Sequence, residues 1–233
     1  MIAETKAEEQ TMPGKIDYKK EYKDLYLPKT KPSLIEVPPI QFIMVEGAGN
    51  PNSENSAYAD AMEILYGISW TIKMSKMGDE KLEGYFEYVV PPLEGLWWID
   101  GFEGGGLPIE DKDKFKWISM IRLPEFVTPE IFEWAKGKLH DKSPQVNYAQ
   151  TRLETFEEGL CAQIMHKGPY DDEPKTIKSL SDFIRESGYV EDISGQFEAF
   201  PLQKRHHEIY LGDPRKQKPE NLKTVIRHPV RKA

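Results

Sequence analysis

The segment His206–Leu211 combines residue types that perform acid–base chemistry. Side chains in a strand alternate between the two faces, so His206, Glu208 and Tyr210 are predicted to share one face while Ile209 lies on the other. A carboxyl group that is partly buried among aromatic rings has a raised pKa. Such a group acts as a cation anchor or as a general base. The alternative is an exposed glutamate on an edge strand, which only keeps the sheet soluble.

Aromatic residues are the second feature that points to a binding site. Trp97 and Trp98 are adjacent in an extended segment, so one is predicted to face the core and the other a groove, and the pattern does not tell which. Both could equally serve packing alone. Tyr170 follows a Gly-Pro pair before a predicted helix, which places it at the rim of a site or in a simple turn.

Other clusters are weaker candidates for chemistry. Glu157 and Glu158 could share a proton, although carboxylates in a loop are more often solvated. A metal site built from His166, His206 and Glu208 is conceivable, but the histidines lack metal-binding spacing with cysteine. We therefore predict neither a metal nor a cofactor.

The Gly-rich segment 101–106 is not predicted to bind phosphate. It lacks the Lys-Ser/Thr ending of a phosphate-binding loop and does not lead directly into a helix. We interpret it as a surface loop.

The composition excludes several classes of protein. The chain has 233 residues, a net charge of −8 and a single cysteine, Cys161. An acidic chain is not expected to bind nucleic acid or anionic membranes broadly, and one cysteine cannot form an internal disulfide. No secretory signal or membrane-spanning run is visible. These features predict a cytoplasmic protein.

Hydrophobic periodicity and turn residues predict an alternation of strands and helices. Strands are predicted at 41–47, 84–90, 93–99, 115–121, 159–166, 206–211 and 222–226, and helices at about 56–77, 128–138 and 173–187. Residues 18–26 are predicted to form a short helix or an edge segment. We divide the chain into an N-terminal extension, 1–33, and one domain, 34–233, with halves at about 34–140 and 150–231.

Two pairs of similar segments indicate an internal duplication. Ile43–Gly47 resembles Ile164–Gly168, and Ile121–Pro124 resembles Ile226–Pro229. Each half then has the order strand, helix, strand, strand. Ligand pockets favour interfaces between such units, so a groove at the seam is predicted.

Several motifs resemble the GyrI-like small-molecule-binding family. The resemblance spans about 15–231 and is carried by the segments 92–97, 158–160, 165–174, 207–216 and 222–227. It implies an α+β fold of two pseudo-symmetric βαββ (SH2-like) halves, with antiparallel sheets, helices on one side and a ligand cleft between the halves. The chain is also similar to effector domains of multidrug-sensing regulators, but no DNA-binding helix-turn-helix precedes it, so no regulator role is expected.

The resemblance also implies a function and a set of site residues. Glu208 corresponds to an acidic residue at the base of the cleft, and some stand-alone members hydrolyse strained cyclopropanes of DNA-alkylating compounds in an aromatic cage. The implied cage residues are Tyr66, Tyr88, Trp97, Trp98, Tyr170, Phe183 and Tyr210. The expected partners are hydrophobic, planar or cationic small molecules. Two alternatives are sequestration without catalysis and a protein-interaction module like the inhibitors of DNA gyrase.

Overall fold

The computed structural model describes residues 14–54, 56–78, 81–102, 109–194 and 198–233. The helices are α1 Tyr18–Glu21, α2 Lys23–Tyr26, α3 Ala57–Met74, α4 Pro129–Lys142 and α5 Glu173–Glu186. The strands are β1 Ser33–Val37, β2 Ile40–Ala48, β3 Leu93–Trp98, β4 Lys116–Arg122, β5 Thr151–Phe156, β6 Gly159–Lys167, β7 Tyr189–Glu191, β8 His206–Tyr210 and β9 Lys223–Lys232. Within this part of the chain, no helix combines the length and apolar character needed to cross a membrane.

The strands form one large antiparallel sheet in the order β1-β6-β9-β8-β3-β4-β2-β5, with β7 paired to β9. Two βαββ units are visible in it: β2-α3-β3-β4, and β6-α5-β8-β9. The segments that look alike in the sequence occupy equivalent strands, β2 with β6 and β4 with β9. The predicted α+β fold is confirmed, and the two halves join through direct pairing of β3 with β8 into one continuous sheet.

The two long helices of the halves lie over the same face of the sheet. Helix α3 packs its apolar residues against β2 and β4, in a core that includes Ile43, Ile68 and Trp117. Helix α5 packs against β6 and β9, with Leu180 buried against Ile164. We call this surface the helix face of the sheet. At the seam it carries the side chains of alternate residues of β3 and β8.

The N-terminal segment covers the opposite face of the sheet. Tyr18, Leu25 and Tyr26 are buried in a core with Leu96, Trp98, Ile209 and other residues of that face. The predicted short helix is therefore present as α1 and α2, and it is an integral part of the core. Its lysines point outward, because only one side of the two helices is covered.

Two details of the predicted elements differ from the structure. Residues 84–90 form no strand; Tyr88 makes one isolated bridge to Ile16 and is otherwise held by aromatic packing. Strands β1, β5 and β7 were not predicted. Strands β1 and β5 lie at the two outer positions of the sheet and are only partly buried, so their apolar pattern is weak, and β7 has only three residues.

A buried ionic cluster lies beneath the seam, on the face opposite the long helices. The ring nitrogens of His207 contact Glu158 at 3.1 Å and Glu94 at 3.0 Å, and Arg227 contacts Glu158 at 3.3 Å. Because both nitrogens of His207 face carboxylates, both must donate, which requires the imidazolium form. Glu158 is thus buried, contrary to its interpretation as a solvated loop residue.

The opposite charges of this cluster offset the free-energy cost of burying each of them. Desolvation lowers the pKa of His207, but Glu158 and Glu94 outweigh it and raise this pKa to about 9. Desolvation raises the pKa of Glu158, but His207 and Arg227 outweigh it and lower this pKa to about 2. The cluster joins β3, β8 and β9 and thereby holds β8 in register.

These pKa shifts predict that stability is highest between about pH 4.5 and 6.5. The raised pKa of His207 stabilises the fold fully below its unfolded value of 6.5, and this contribution is lost as the pH rises through about 9. The lowered pKa of Glu158 contributes above its unfolded value of 4.5 and is lost as the pH falls through about 2. The melting temperature should fall by several degrees between pH 6.5 and 9.5. His140→Gln, which changes an exposed histidine, should leave this dependence unchanged, and a flat profile in the wild type would contradict the assignment.

Candidate functional site at the seam

The carboxylate of Glu208 lies at the seam of the two halves, on the helix face. Its side chain is 14% exposed, and Nε2 of His206 lies 2.8 Å from Oε1. The hydroxyl of Tyr210 donates to Oε2 at 2.6 Å. All three side chains share one face of β8, as the alternation of the sequence predicts. The side chain of Glu208 is thus enclosed by neighbouring groups, unlike that of a solvated edge-strand glutamate.

Glu173, the first residue of α5, approaches Glu208 from above the sheet. It is 5% exposed. Desolvation and the neighbouring Glu208 charge raise the pKa of Glu173 well above its ordinary value. Glu173 therefore carries a proton and donates it to Glu208. Thr224 opposes this effect and lowers the pKa of Glu173, but burial and Glu208 outweigh it.

Glu208 itself is held ionised. Burial alone raises its pKa, but hydrogen bonds from His206, Tyr210 and Glu173 outweigh burial and lower the pKa below its ordinary value. The raised pKa inferred from the sequence was therefore wrong, because strand alternation does not reveal how many donors converge on the carboxylate. Each carboxylate oxygen has two acceptor positions, so Glu208 can still accept a proton from a water or face a cation.

Aromatic side chains surround this carboxylate on the helix face. Trp97 donates its indole N–H to the Tyr210 hydroxyl at 2.8 Å, so the sequence's open choice between Trp97 and Trp98 is decided in favour of Trp97. Tyr170 packs edge-on against Tyr210, with ring centroids 5.7 Å apart. Tyr58 packs against Trp97, also at 5.7 Å.

Tyr66 lies further out on α3. Burial raises its pKa, and the charges of Asp213 and Arg215 act on it, so it lies near the turn after β8. Tyr58 and Tyr66 are eight residues apart, about two turns of helix, and therefore lie on the same side of α3. Tyr66 thus extends the aromatic surface from Glu208 towards the loop 211–216.

Three of the residues implied by the resemblance lie away from this cluster. Trp98 points to the opposite face of the sheet, where the Arg205 guanidinium stacks on it at 4.4 Å. Tyr88 is fully buried beside Phe126 in the core of that face. Phe183 packs with the apolar residues of α5, β6 and β9, about 15 Å along the helix from Glu173. All three are positioned for packing.

The described residues contain no group of histidine, cysteine and acidic side chains arranged for a metal. The ring nitrogens of His166 face Thr176 and the Pro169 carbonyl, so His166 does not join His206 and Glu208. The arrangement at the seam is suited to holding an apolar, planar molecule beside one negative charge.

Tyr58 and Glu173 were not predicted as site residues. Tyr58 could have been found from its spacing of eight residues to Tyr66 on the same helix. Glu173 stands at the start of a helix, where a negative charge is favourable whatever the side chain contacts. No local pattern reveals that it meets Glu208, because the two are brought together only by the packing of α5 over β8.

The absence of a side chain at Gly95 leaves room for this arrangement. Gly95 pairs with Glu208 across the seam, and a Cβ atom there would lie 2.6 Å from Nε1 of Trp97 and 3.3 Å from the Tyr210 hydroxyl.

We predict that Gly95→Ala displaces Trp97 and destabilises the fold by about 1–3 kcal/mol, the usual cost of overpacking. Denaturant unfolding with tryptophan fluorescence measures both effects. Gly137→Ala is the matched control: nothing lies within 4 Å of its Cβ position, and alanine in a helix should stabilise by up to about 1 kcal/mol. If Gly95→Ala were as stable as the wild type, Trp97 would move away from the added methyl group at no cost in free energy, and the prediction would be contradicted.

Solved structures of other proteins share this fold. An uncharacterized conserved protein from Listeria innocua is 46% identical, with a TM-score of 0.83, over 93% of this chain and 100% of its own. A hydrolase from Listeria innocua is 44% identical, with a TM-score of 0.79, over the same shares of the two chains. The EcmrR C-terminal domain is only 14% identical, with a TM-score of 0.50 over 87% of this chain and 98% of that one, and shares the fold alone.

None of the curated proteins searched matches the chain. The model of the GyrI-like small molecule binding domain matches residues 30–231, which is most of the chain. This match agrees with the α+β fold described above. The chain therefore belongs to the GyrI-like small-molecule-binding family.

Proposed function

We propose that this protein is a hydrolase that detoxifies DNA-alkylating compounds by adding water to a strained cyclopropane. The observation that carries the proposal is the ionised Glu208 carboxylate, buried beside Trp97, Tyr58 and Tyr170 at the seam. The 44% identity to a protein described as a hydrolase supports the reaction class. The compounds concerned are planar and apolar, with the cyclopropane joined to a conjugated dienone.

The aromatic side chains bind the planar part of the compound. Offset or edge-to-face contacts between aromatic rings contribute about 0.5–1.5 kcal/mol each beyond burial of area. Tyr58, Trp97 and Tyr170 present such rings around Glu208. Binding there brings the cyclopropane close to the carboxylate and excludes bulk water.

Glu208 acts as the general base. It takes a proton from a water whose oxygen forms a bond to the cyclopropane carbon. The carbon–carbon bond breaks, and its electron pair moves through the dienone to the carbonyl oxygen, which becomes a phenolate. A tyrosine hydroxyl of the site, from Tyr58 or Tyr170, hydrogen-bonds this oxygen as its charge develops. Glu208 then gives the proton it took to the phenolate oxygen, which completes the addition of one water and returns Glu208 to its ionised form.

Sequestration without catalysis is the second candidate function. It is favoured by the lowered pKa of Glu208, since a permanently ionised carboxylate attracts a cation and the surrounding rings add cation–π attraction. A binder would return an unaltered ligand from a tight complex. The hydrolase returns a product that is heavier by one water, so mass spectrometry of a spirocyclopropyl dienone after incubation separates the two. A protein-interaction module would do neither.

We predict that Glu208→Gln lowers the rate of water addition by about 10²-fold or more, the usual contribution of a positioned general base. Glu173→Gln is the matched control within the site. Glutamine keeps a donor to Glu208 and adds no charge, so its rate should stay within about tenfold of the wild type. Turnover is measured by mass spectrometry at saturating compound.

Two results would contradict the assignment of roles. Full turnover by Glu208→Gln would exclude Glu208 as the base. A larger loss in Glu173→Gln than in Glu208→Gln would transfer the role to Glu173. Equal melting temperatures of the two variants and the wild type exclude unfolding as the cause of any loss.

A further inference from the structure

A continuous chain of hydrogen bonds leads away from Glu208 through groups that the proposed reaction does not use. Nε2 of His206 contacts Glu208 at 2.8 Å, and Nδ1 of the same ring lies 2.7 Å from Nε2 of His228. Nδ1 of His228 lies 3.0 Å from Oε1 of Glu191. The Ser181 hydroxyl donates to that oxygen at 2.7 Å.

The chain runs from the interior to the surface. His206 and His228 are 2% and 0% exposed, so neither ring reaches water directly. The side chain of Glu191, on β7, is 20% exposed and can exchange protons with the solvent. The two rings therefore join Glu208, whose side chain is 14% exposed and lies where the proposed compound would cover it, to a second carboxylate away from the seam.

Counting protons shows that this chain of hydrogen bonds needs one more proton than its two imidazole rings supply when both are neutral. Each of the three contacts, Glu208–His206, His206–His228 and His228–Glu191, needs one proton between its two atoms. A neutral imidazole carries one N–H, so two neutral rings supply only two. Ser181 donates to Glu191 and supplies none to His228. A third proton must therefore lie within the chain.

Charged and titratable groups at both ends of the hydrogen-bond chain influence where this third proton lies. Tyr210 and Glu173 donate to Glu208 at the inner end, and Glu191 attracts the proton at the outer end. Burial and the neighbouring His206 lower the pKa of His228 below its ordinary value, although Glu191 and, from the other face of the sheet, Glu158 oppose them. With Glu208 and Glu191 both accepting as carboxylates, the third proton lies on the two rings and can shift between them across the His206–His228 contact.

We propose that His206, His228 and Glu191 form a proton relay that joins Glu208 to the solvent. This inference rests on the proposed function for its role in turnover. When Glu208 takes a proton from water, the third proton of the chain moves outward to Glu191 and leaves to the solvent. When Glu208 gives its proton to the phenolate oxygen, a proton returns by the same path. The charge of the site thus stays constant while no bulk water enters. The three residues touch no substrate and act only through Glu208, as positioning residues.

The test begins with the proton count, which needs no ligand. In ¹⁵N NMR spectra of the imidazoles near pH 7, His206 and His228 should carry three N–H protons together in the wild type. Glu191→Gln should reduce this number to two, because the neutral amide no longer balances the charge of the third proton. Its NH₂ group then takes the position of Oε1 and donates to His228, and the Ser181 hydroxyl accepts from it instead. Glu186→Gln, which changes an exposed glutamate on α5, should leave three. Two protons in the wild type, or three in Glu191→Gln, would overturn the relay.

Turnover of the spirocyclopropyl dienone provides the second measurement. Glu191→Gln should slow water addition by about tenfold or more, a modest part of what general base catalysis contributes, while Glu186→Gln should not. Ser181→Ala keeps the acid and should retain both the third proton and most of the rate. Equal rates for Glu191→Gln and the wild type would overturn the relay while the proposed hydrolase stands. A wild type without turnover would instead overturn the proposed function, and the NMR count would still decide whether the chain holds the third proton.

Discussion

The candidate site depends on the burial of a single ionised carboxylate. Removing a carboxylate from water costs several kcal/mol unless hydrogen bonds replace those of the solvent. Glu208 receives such bonds from His206, Tyr210 and the protonated Glu173. Glu173 and Glu208 together carry one negative charge, because two buried carboxylates in contact would repel each other. This one charge, held in an apolar surrounding, is what a planar electrophile or a cation would meet on entering the site.

The same strand carries a second set of buried charges on its other face. His207 contacts Glu94 and Glu158 beneath the sheet, while Glu208 faces the helices. A slip of β8 by one residue would exchange the two faces. Glu208 would then face the carboxylates of Glu94 and Glu158. Ile209 would take its place among the hydrogen-bond donors on the helix face. The ionic cluster thus specifies the register that directs Glu208 into the site.

The two halves are similar in topology and unequal in chemistry. Strands β3 and β8 are equivalent in the two βαββ units and pair at the seam, yet Gly95 lies opposite Glu208. One half supplies the acid, and the other supplies the space and the indole of Trp97. Helix α3 adds Tyr58 above the first half, and the start of α5 adds Glu173 above the second. The two units of like topology form the seam, and the differences between them place the carboxylate on one side of it and the indole on the other.

The sequence by itself determined the alternation of β8, which places Glu208 on one face with His206 and Tyr210, and the two helix–strand units, because these follow from local spacing of side chains along a strand or helix. It also determined that Trp97 and Trp98 point in opposite directions. Only the tertiary structure decided which of them joins Tyr210. The pairing of β3 with β8 and the packing of α5 over the sheet likewise brought Glu173, His228 and Glu191 into contact with the strand. These contacts join residues far apart in the chain, and the ionisation of Glu208 depends on the number of donors that they supply, which local spacing does not encode.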